Sequence, residues 1–435
     1  MDTLRIACPD LNGAARGKRL PAAALPKVEK GEARMPLSAC NLDIFGRDIE
    51  NSPLVFDSGD ADGTLQPTGR GPVPMPWLPR PEPLYPVMMM QNGAPFAGDA
   101  RAALVAVLDR LATHGLAPHC ATEMEFTLLD GDADGAAHRS AARDPVSGRP
   151  QRHADICSLD TLDRFSAFFD DLYDGAEAMG IPAQSALSEA GVGQFEVDLA
   201  HRDALRAADD AWLFKMLVKG MARKHGMTAT FLAKPDPEDA GNGMHVHCSM
   251  MQADGRNLFD DGTEAGSDAL RQAVAGCLAG LAESTLIFAP HAGSYDRFVP
   301  GAHAPTGISW GYDNRTTALR IPLSPPAARR IEHRVAGADS NPYLLFAALL
   351  GAMLYGIEGQ MEAPAPLTGN AYTQGLPSIP TDWKDAIAAF AEGRLMQNIF
   401  DPLLIDNLVR TKRQEQAHME GLSRAEIADL YLTRA

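Results

Sequence analysis

Alternating side chains in four short segments constrain most strongly how this chain can fold. Residues 121–129 read Ala-Thr-Glu-Met-Glu-Phe-Thr-Leu-Leu. Side chains of a strand point alternately to opposite faces, so Glu123 and Glu125 share one face while Met124 and Phe126 share the other. Glutamate is a poor strand former, so two of them on one face need an explanation. For this segment alone, the explanation could be that the face with the two glutamates is exposed to solvent.

The same alternation recurs in three later segments, each with an apolar face and a polar one. The polar faces carry Gln194, Glu196 and Asp198 in residues 188–199; His245, His247 and Ser249 in residues 241–250; and Arg330, Glu332 and Arg334 in residues 329–335. Glu189 precedes the first of these faces across a glycine-rich turn. Because solvated strands more usually carry Lys, Thr and Ser, the four segments together predict a curved sheet around a polar cavity.

The acidic side chains of these segments predict bound metal ions. Without counter-ions, five glutamates and one histidine that converge on one cavity would repel one another, so cations must lie among them. Oxygen-rich ligation with a single imidazole favours Mg²⁺ or Mn²⁺ over zinc. Two such ions would nearly cancel the charge of five carboxylates.

Arginines in the last third of the chain predict an anionic ligand beside these metals. The cluster consists of Arg297, Arg315, Arg320, Arg330 and Arg334. Guanidinium groups match carboxylate and phosphate oxygens in a bidentate way, which favours a nucleoside triphosphate bridged by two metals. Any one of these arginines could equally pair with an acidic residue elsewhere. No P-loop motif and no Gly-x-Ser-x-Gly motif is present in the sequence.

Charge and cysteine usage narrow the class of partner. The 435 residues carry a formal net charge of −17, which disfavours nucleic acids and anionic membranes and favours a small-molecule partner. Six scattered cysteines and an N-terminus without a signal pattern predict a cytoplasmic protein with reduced thiols. The longest apolar run, residues 343–357, is shorter than the roughly 20 residues of a membrane helix and is interpreted as a buried core helix.

The chain divides into two predicted domains of an α+β protein. Residues 1–95 are rich in Pro and Gly and predict a small, mostly β domain, and residues 96–435 predict a larger mixed domain. Apolar periodicity predicts helices at residues 99–116, 162–179, 203–225, 267–286, 342–360 and 405–419.

Five motifs, taken in order, resemble the glutamine synthetase family. They are Glu-Met-Glu-Phe from residue 123, Gly-Gln-Phe-Glu from 193, Gly-Met-His-Val-His from 243, Asn-Arg-Thr-Thr-Ala-Leu-Arg-Ile-Pro from 314 and Arg-Arg-Ile-Glu-His-Arg from 329. The resemblance implies a β-grasp-like N-terminal domain and a larger catalytic domain in which helices flank a curved antiparallel sheet. It also implies a homo-oligomer, a dodecamer of two stacked hexameric rings with active sites between subunits.

The resemblance implies a role for most of these polar side chains. Glu125, Glu189 and Glu196 would hold one metal, and Glu123, His245 and Glu332 the other. His247, Ser249, Arg320 and Arg330 would bind ATP; Arg297 and Gly241 would bind the substrate glutamate; and Arg315 and Arg334 would stabilise the transferring phosphoryl group. The implied chemistry is ATP-dependent formation of γ-glutamyl phosphate, followed by attack of an amine.

Three departures from the family pattern concern the amine. His303 lies where ammonia-using members carry a glutamate, Ala240 replaces an asparagine, and Asn-Leu-Asp-Ile at 41–44 fits the ammonium-binding motif only loosely. A largely neutral imidazole holds a cation less firmly than a carboxylate but can still act as a base. We therefore assign His303 a catalytic role at the amine pocket and name Asp43 as a second residue of that pocket.

The leading hypothesis is a γ-glutamyl-amine ligase that uses putrescine or a related polyamine or alkylamine. The alternatives are a true glutamine synthetase that uses ammonia, and a catalytically silent scaffold of the same family. Asn-Ala-Tyr-Thr at 370–373 lacks the Leu-Tyr-Asp context of adenylylated members. Tyr372 is therefore expected to be an ordinary loop residue.

Overall fold

The computed structural model describes residues 2–131, 137–299, 301 and 304–434. Its strands are β1 Thr3–Pro9, β2 Ala15–Pro21, β3 Ala33–Pro36, β4 Asp62–Pro67, β5 Leu84–Gln91, β6 Ala94–Pro95, β7 Leu116–Gly131, β8 Ala137–Ala141, β9 Ala183–Ser188, β10 Gln194–Asp203, β11 Met227–Thr230, β12 Met244–Gln252, β13 Trp310–Tyr312, β14 Leu319–Ile321 and β15 Ile331–His333. Its α-helices are α1 Leu25–Glu29, α2 Ala100–Thr113, α3 Leu159–Arg164, α4 Ser166–Met179, α5 Ala204–Lys224, α6 Asp268–Gly280, α7 Thr285–Phe288, α8 Pro342–Glu358, α9 Trp383–Glu392, α10 Arg394–Ile399, α11 Pro402–Met419 and α12 Arg424–Tyr431.

The first 95 residues form a small sheet with the order β2-β1-β5-β4-β3, and β6 pairs with β5. Within it β1 runs antiparallel to β2 and parallel to β5. Leu4, Ile6 and Val87 lie in an apolar core of their own, whereas Ala7 and Leu84 pack into the core of the rest of the chain. The separate core supports a small N-terminal unit, and the boundary near residue 95 stays a prediction.

The rest of the chain contains a large sheet with the strand order β13-β14-β15-β12-β7-β10-β9, and β8 and β11 also pair with β7. All of its pairings are antiparallel except that of β13 with β14. Helices α2 and α5 pack on β7, and α8 packs on α2, α5 and α6. Met124, Phe126, Val197 and Val246 are completely buried on the sheet's apolar side. The predicted alternation and the α+β class are confirmed.

The six predicted helices are present, although their ends differ from the prediction. The 162–179 helix is part of a pair, α3 and α4, with Phe165 between them, and the 267–286 helix is divided into α6 and α7. Helix α11 begins earlier than predicted because Asp401 accepts a hydrogen bond from the backbone N–H of Leu403 and caps it. Helices α9, α10 and α12 were not predicted. No helix in the described ranges is long and apolar enough to cross a membrane.

A buried ion pair joins α11 to the N-terminal region. Glu415 Oε2 lies 3.0 Å from Lys412 Nζ, and both side chains are inaccessible to solvent. Glu415 Oε1 accepts hydrogen bonds from the backbone N–H of Ile44 at 2.8 Å and from Asn12 Nδ2 at 3.3 Å. Burial would raise the pKa of Glu415, but Lys412 and His291 outweigh it and lower that pKa to about 2. One charged pair therefore connects the C-terminal helices to two N-terminal loops.

Candidate active site

Strand register places the predicted metal ligands side by side. The four strands that carry them come from distant parts of the chain but are neighbours in the sheet, in the order β15-β12-β7-β10. Their directly opposed pairs are His245 with Glu123, Glu196 with Glu125, and Glu332 with His247. The structure therefore brings together on one polar face the residues that alternation predicted.

Glu123 lies at the centre of this face. Its two carboxylate oxygens lie 2.7 Å from His245 Nδ1 and 2.8 Å from His247 Nε2. Burial opposes ionisation of Glu123, but the hydrogen bonds to the two imidazoles outweigh it and hold its pKa well below the usual range. Nε2 of His245 is buried and has no hydrogen-bond partner within the described part of the chain. That nitrogen is free to ligate a metal ion.

Three other carboxylates of this face, those of Glu125, Glu189 and Glu196, resist ionisation. Burial raises the pKa of Glu125 to about 7, although Arg297 and the backbone N–H of Gly243 oppose the shift. Burial, together with the charges of Glu123 and Glu125, raises the pKa of Glu196 to about 10. Burial also raises the pKa of Glu189. Bound divalent cations would reverse these shifts, so the charge balance fits a metal site.

Two groups of side chains could each hold a metal ion. Within each group the ligand atoms lie within 4.8 Å of one another: Glu123, Glu196 and His245 form the first group, and Glu123, His247 and Glu332 the second. Each group offers two carboxylates and one imidazole, a donor set that can bind a divalent cation. Both groups share Glu123, whereas the resemblance implied two sets without a common member. All six ligands implied by the resemblance lie on the described strands or beside them, and their division between two ions stays a prediction.

Three arginines lie against this metal face. Arg320 donates to Glu332 at 2.7 Å and to Asp313 at 2.5 Å, and Arg334 also donates to Glu332. Burial opposes ionisation of Glu332, but His247 and Arg334 outweigh it and lower its pKa. Arg330 Nε donates to His247 Nδ1 at 3.1 Å.

Arg315 is exposed and lines a cavity of about 600 Å³ between the β13–β14 loop and residues 366–369. Its positive charge opposes the rise in the pKa of Glu189. The charge of Arg315 therefore reaches the Glu189 side of the metal face.

Arg297 enters the site between two glycines. Its side chain is buried, and its Nη1 donates to the carbonyl of Val335 at 2.7 Å. A Cβ on Gly243 would lie 2.6 Å from Arg297 Nη2, and one on Gly241 would lie 3.1 Å from Arg297 Cγ. The Gly-Asn-Gly stretch therefore leaves the space that this guanidinium occupies beside Glu125.

A cavity of about 440 Å³ opens on the other side of Glu123. Its lining includes His247, Ser249 and Arg330, which were predicted to bind ATP, and also Asp198, His119 and His201, which were given no role. His119 shares the alternation of Glu123 on β7, so the same pattern could have identified it. His201 lies within the register shift between Leu199 and Arg202, where alternation no longer predicts the face.

The two residues predicted for the amine pocket have different outcomes. Asp43 is completely buried, and its carboxylate accepts from the backbone N–H groups of Phe45 and Arg47 at 2.9 Å and from Gln414 Nε2 at 3.1 Å. Within one chain, these hydrogen bonds hold Asp43 to its own loop and to α11. His303 lies outside the described residues, so its assignment stays a prediction.

The fold and the carboxylate-rich sheet face define a protein of the glutamine synthetase class. The family model described as the glutamine synthetase catalytic domain matches residues 97–430, and the chain belongs to the glutamine synthetase family.

Its relatives include proteins named for several different amines. The chain is 39% identical to gamma-glutamylputrescine synthetase of Escherichia coli (strain K12), over 88% of this chain and 81% of the relative. It is 32% identical to gamma-glutamylethanolamide synthetase of Streptomyces coelicolor, over 98% and 89% of the two chains. A glutamate–isopropylamine ligase from a Pseudomonas species is 31% identical, over 95% and 91%.

Solved structures share the fold over nearly the whole chain. A ligand-free structure of GmaS aligns with a TM-score of 0.84 and 29% identity, and the alignment covers 97% of this chain and 94% of that one. A structure described as a novel glutamine synthase homolog aligns with a TM-score of 0.86 and 24% identity, over 100% and 98%. The second likeness concerns the fold alone.

Proposed function

We propose that this protein is an ATP-dependent ligase that joins the γ-carboxylate of glutamate to an alkylamine, with putrescine or a related polyamine as its substrate. The observation that carries this proposal is the 39% identity to a gamma-glutamylputrescine synthetase over 88% of the chain. The retained metal-binding side chains around Glu123 support an active enzyme over a silent scaffold.

The metal ions are proposed to be Mg²⁺ or Mn²⁺, two or more at each site. Glu123, Glu196, His245 and Glu332 would hold them, with Glu125 and Glu189 completing the donor set. When bound, such ions neutralise phosphate oxygens and make the terminal phosphorus a better electrophile. The unpartnered Nε2 of His245 and the poorly ionised carboxylates fit this role.

The chain's own residues then position two successive reactions. Arg297 would bind the α-carboxylate of glutamate, with Gly241 beside it. A γ-carboxylate oxygen attacks the terminal phosphorus of ATP, a new P–O bond forms, and ADP leaves with its bonding electron pair. Arg315 and Arg334 would stabilise the charge on the transferring phosphoryl group. His247, Ser249, Arg320 and Arg330 would hold the nucleotide.

The amine completes the reaction. Its nitrogen attacks the acyl carbon, inorganic phosphate leaves, and the ammonium proton passes to a base. We assign that base to His303, and Asp43 is the second residue assigned to the amine pocket. The products are a γ-glutamyl amide, ADP and phosphate. A dodecamer of two stacked hexameric rings is the assembly proposed, and light scattering of the purified protein tests it.

An amine panel tests the proposed function. ADP release is measured with glutamate, Mg²⁺-ATP and either putrescine, another polyamine, ethanolamine, methylamine, isopropylamine or ammonia. We expect kcat/KM to be highest for a diamine or polyamine, and His303→Glu to shift preference toward ammonia. Ammonia as the best nucleophile of the wild-type protein would instead identify a glutamine synthetase. Failure to bind Mg²⁺-ATP in calorimetry would identify a silent scaffold.

A further inference from the structure

The hydroxyl of Tyr372 is shielded from solvent and has no hydrogen-bond partner among the described residues. The residue lies in the short 3₁₀ segment Ala371–Thr373, after the loop that borders Arg315. The residue as a whole is half-buried. Leaving a buried polar group unpaired costs free energy, so we expect this hydroxyl to find its partner in a bound ligand. The expectation that Tyr372 is an ordinary loop residue stays a prediction, and the hydroxyl gives a reason to propose a role for it.

Hydrogen bonds fix this segment to the loop of Arg315. The backbone N–H of Ala371 donates to Thr316 Oγ1 at 2.9 Å, and Asn314 Nδ2 donates to the carbonyl of Gly369 at 2.9 Å. Asn370 Oδ1 accepts from the backbone N–H of Tyr372 itself at 3.0 Å. The position of Tyr372 is consequently tied to the residues on either side of Arg315.

The charges around Tyr372 indicate what the missing acceptor is. Burial raises the pKa of Tyr372, and Arg334 and then Arg297 act in the opposite direction, so both guanidinium groups lie within electrostatic reach of the phenol. At neutral pH the phenol remains protonated and can donate a hydrogen bond. A donor near two guanidinium groups favours an anionic acceptor.

We propose that the Tyr372 hydroxyl donates a hydrogen bond to the γ-carboxylate of glutamate as it becomes the acyl phosphate beside Arg334 and Arg315. This inference rests on the proposed function, because it assumes that glutamate is the acceptor of the phosphoryl group. The bond that forms joins a γ-carboxylate oxygen to phosphorus, and the bond that breaks releases ADP. Tyr372 neither gains nor loses a proton; its hydrogen bond stabilises negative charge in the transition state.

Tyr372→Phe tests the proposal because it removes only the hydroxyl. Single-turnover ADP formation from Mg²⁺-ATP and glutamate without any amine isolates the first step. We expect its rate to fall roughly tenfold or more, as for the loss of a hydrogen bond to a charged group, while Mg²⁺-ATP affinity by calorimetry is unchanged. Tyr355→Phe, on the exposed side of α8, is the matched control and should retain the wild-type rate.

The outcomes separate this proposal from the proposed function. A wild-type ADP rate in Tyr372→Phe overturns the role of the hydroxyl and leaves the amine ligase intact. A fall in rate with only some amines, and none without amine, would also overturn it, because the hydroxyl would then act at the amine pocket. If the wild-type protein forms ADP with glutamate but uses no amine, the proposed ligase function is contradicted. The ADP rates of the wild type and Tyr372→Phe can still be compared in that case, so the role of the hydroxyl is still tested.

Discussion

Arg330 Nε donates a hydrogen bond to His247 Nδ1 at 3.1 Å, and this contact determines which nitrogen of His247 carries a proton. Because a guanidinium can only donate, Nδ1 is an acceptor and Nε2 holds the hydrogen that faces Glu123. His245 differs, since its Nε2 is buried and unpaired among the described residues. Both imidazoles belong to candidate metal groups, but only His245 keeps a nitrogen without a hydrogen-bond partner among the described residues, so we expect it to be the stronger ligand.

The two histidines should consequently differ in their effect on metal affinity. We expect His245→Ala to weaken Mn²⁺ binding at least about tenfold, because second-shell changes alone cost about 10–100-fold and this change removes a ligand. His247→Ala should weaken Mn²⁺ binding less and raise the KM for ATP more. Calorimetric titration with Mn²⁺ in the absence of nucleotide measures the first effect. Equal losses of Mn²⁺ affinity in both variants would contradict the distinction.

Gly243→Ala should impair glutamate binding with little loss of stability. The new Cβ would lie 2.6 Å from Arg297 Nη2, the far end of a flexible side chain that can move aside. We expect the KM for glutamate to rise about tenfold, the magnitude of one misplaced charged hydrogen bond, while the thermal midpoint stays near that of the wild type. Gly293→Ala is the control, because its Cβ would have no atom nearer than 4.0 Å. An unchanged KM in Gly243→Ala would argue against Arg297 as the glutamate-binding arginine.

Breaking the ion pair on α11 should destabilise the protein without altering the sheet. Glu415→Gln leaves Lys412 buried without its counter-charge, and removal of one member of a buried pair typically costs about 3–5 kcal/mol. Thermal unfolding measures the loss, and Glu420→Gln on the exposed end of α11 serves as the control. The double variant Lys412→Met/Glu415→Gln should recover part of the loss. A Glu415→Gln midpoint equal to that of the control would mean that the pair contributes nothing.

Stability should depend on pH through Asp99, which joins α2 to β5. Its carboxylate accepts from the backbone N–H groups of Ala102 and Met89 at 2.9 Å, yet burial raises its pKa to about 6. A carboxyl whose pKa is raised on folding stabilises the folded state below its unfolded pKa of about 3.9, and that contribution is lost as pH rises through the folded value.

The corresponding measurement compares thermal midpoints of wild type and Asp99→Asn between about pH 4 and about pH 6, roughly the interval between the unfolded and folded pKa values. We expect the advantage of the wild type over Asp99→Asn to shrink as pH rises through about 6. An advantage that grows with pH would mean that the ionised carboxylate is the stabilising form.

Local sequence pattern determined the faces of the sheet strands. Side-chain direction in a strand depends only on residue parity, so Glu123, Glu125, Glu196 and His245 could be assigned to one polar face from their spacing. Helices with a regular apolar stripe were found for the same reason. The family resemblance, which depends on ordered motifs, likewise needed no coordinates.

Only the tertiary structure decided which polar groups contact one another and which hydrogen bonds each of them makes. Glu123 contacts both imidazoles because β7 and β12 pair in one register, and a shift of one residue would separate them. His201 lines the cavity because an irregularity in β10 shifts the alternation, and the Tyr372 hydroxyl is shielded from solvent in a segment that is hydrogen-bonded to the loop of Arg315. These relations depend on packing between segments far apart in the chain, whereas parity and periodicity report only on neighbours along it.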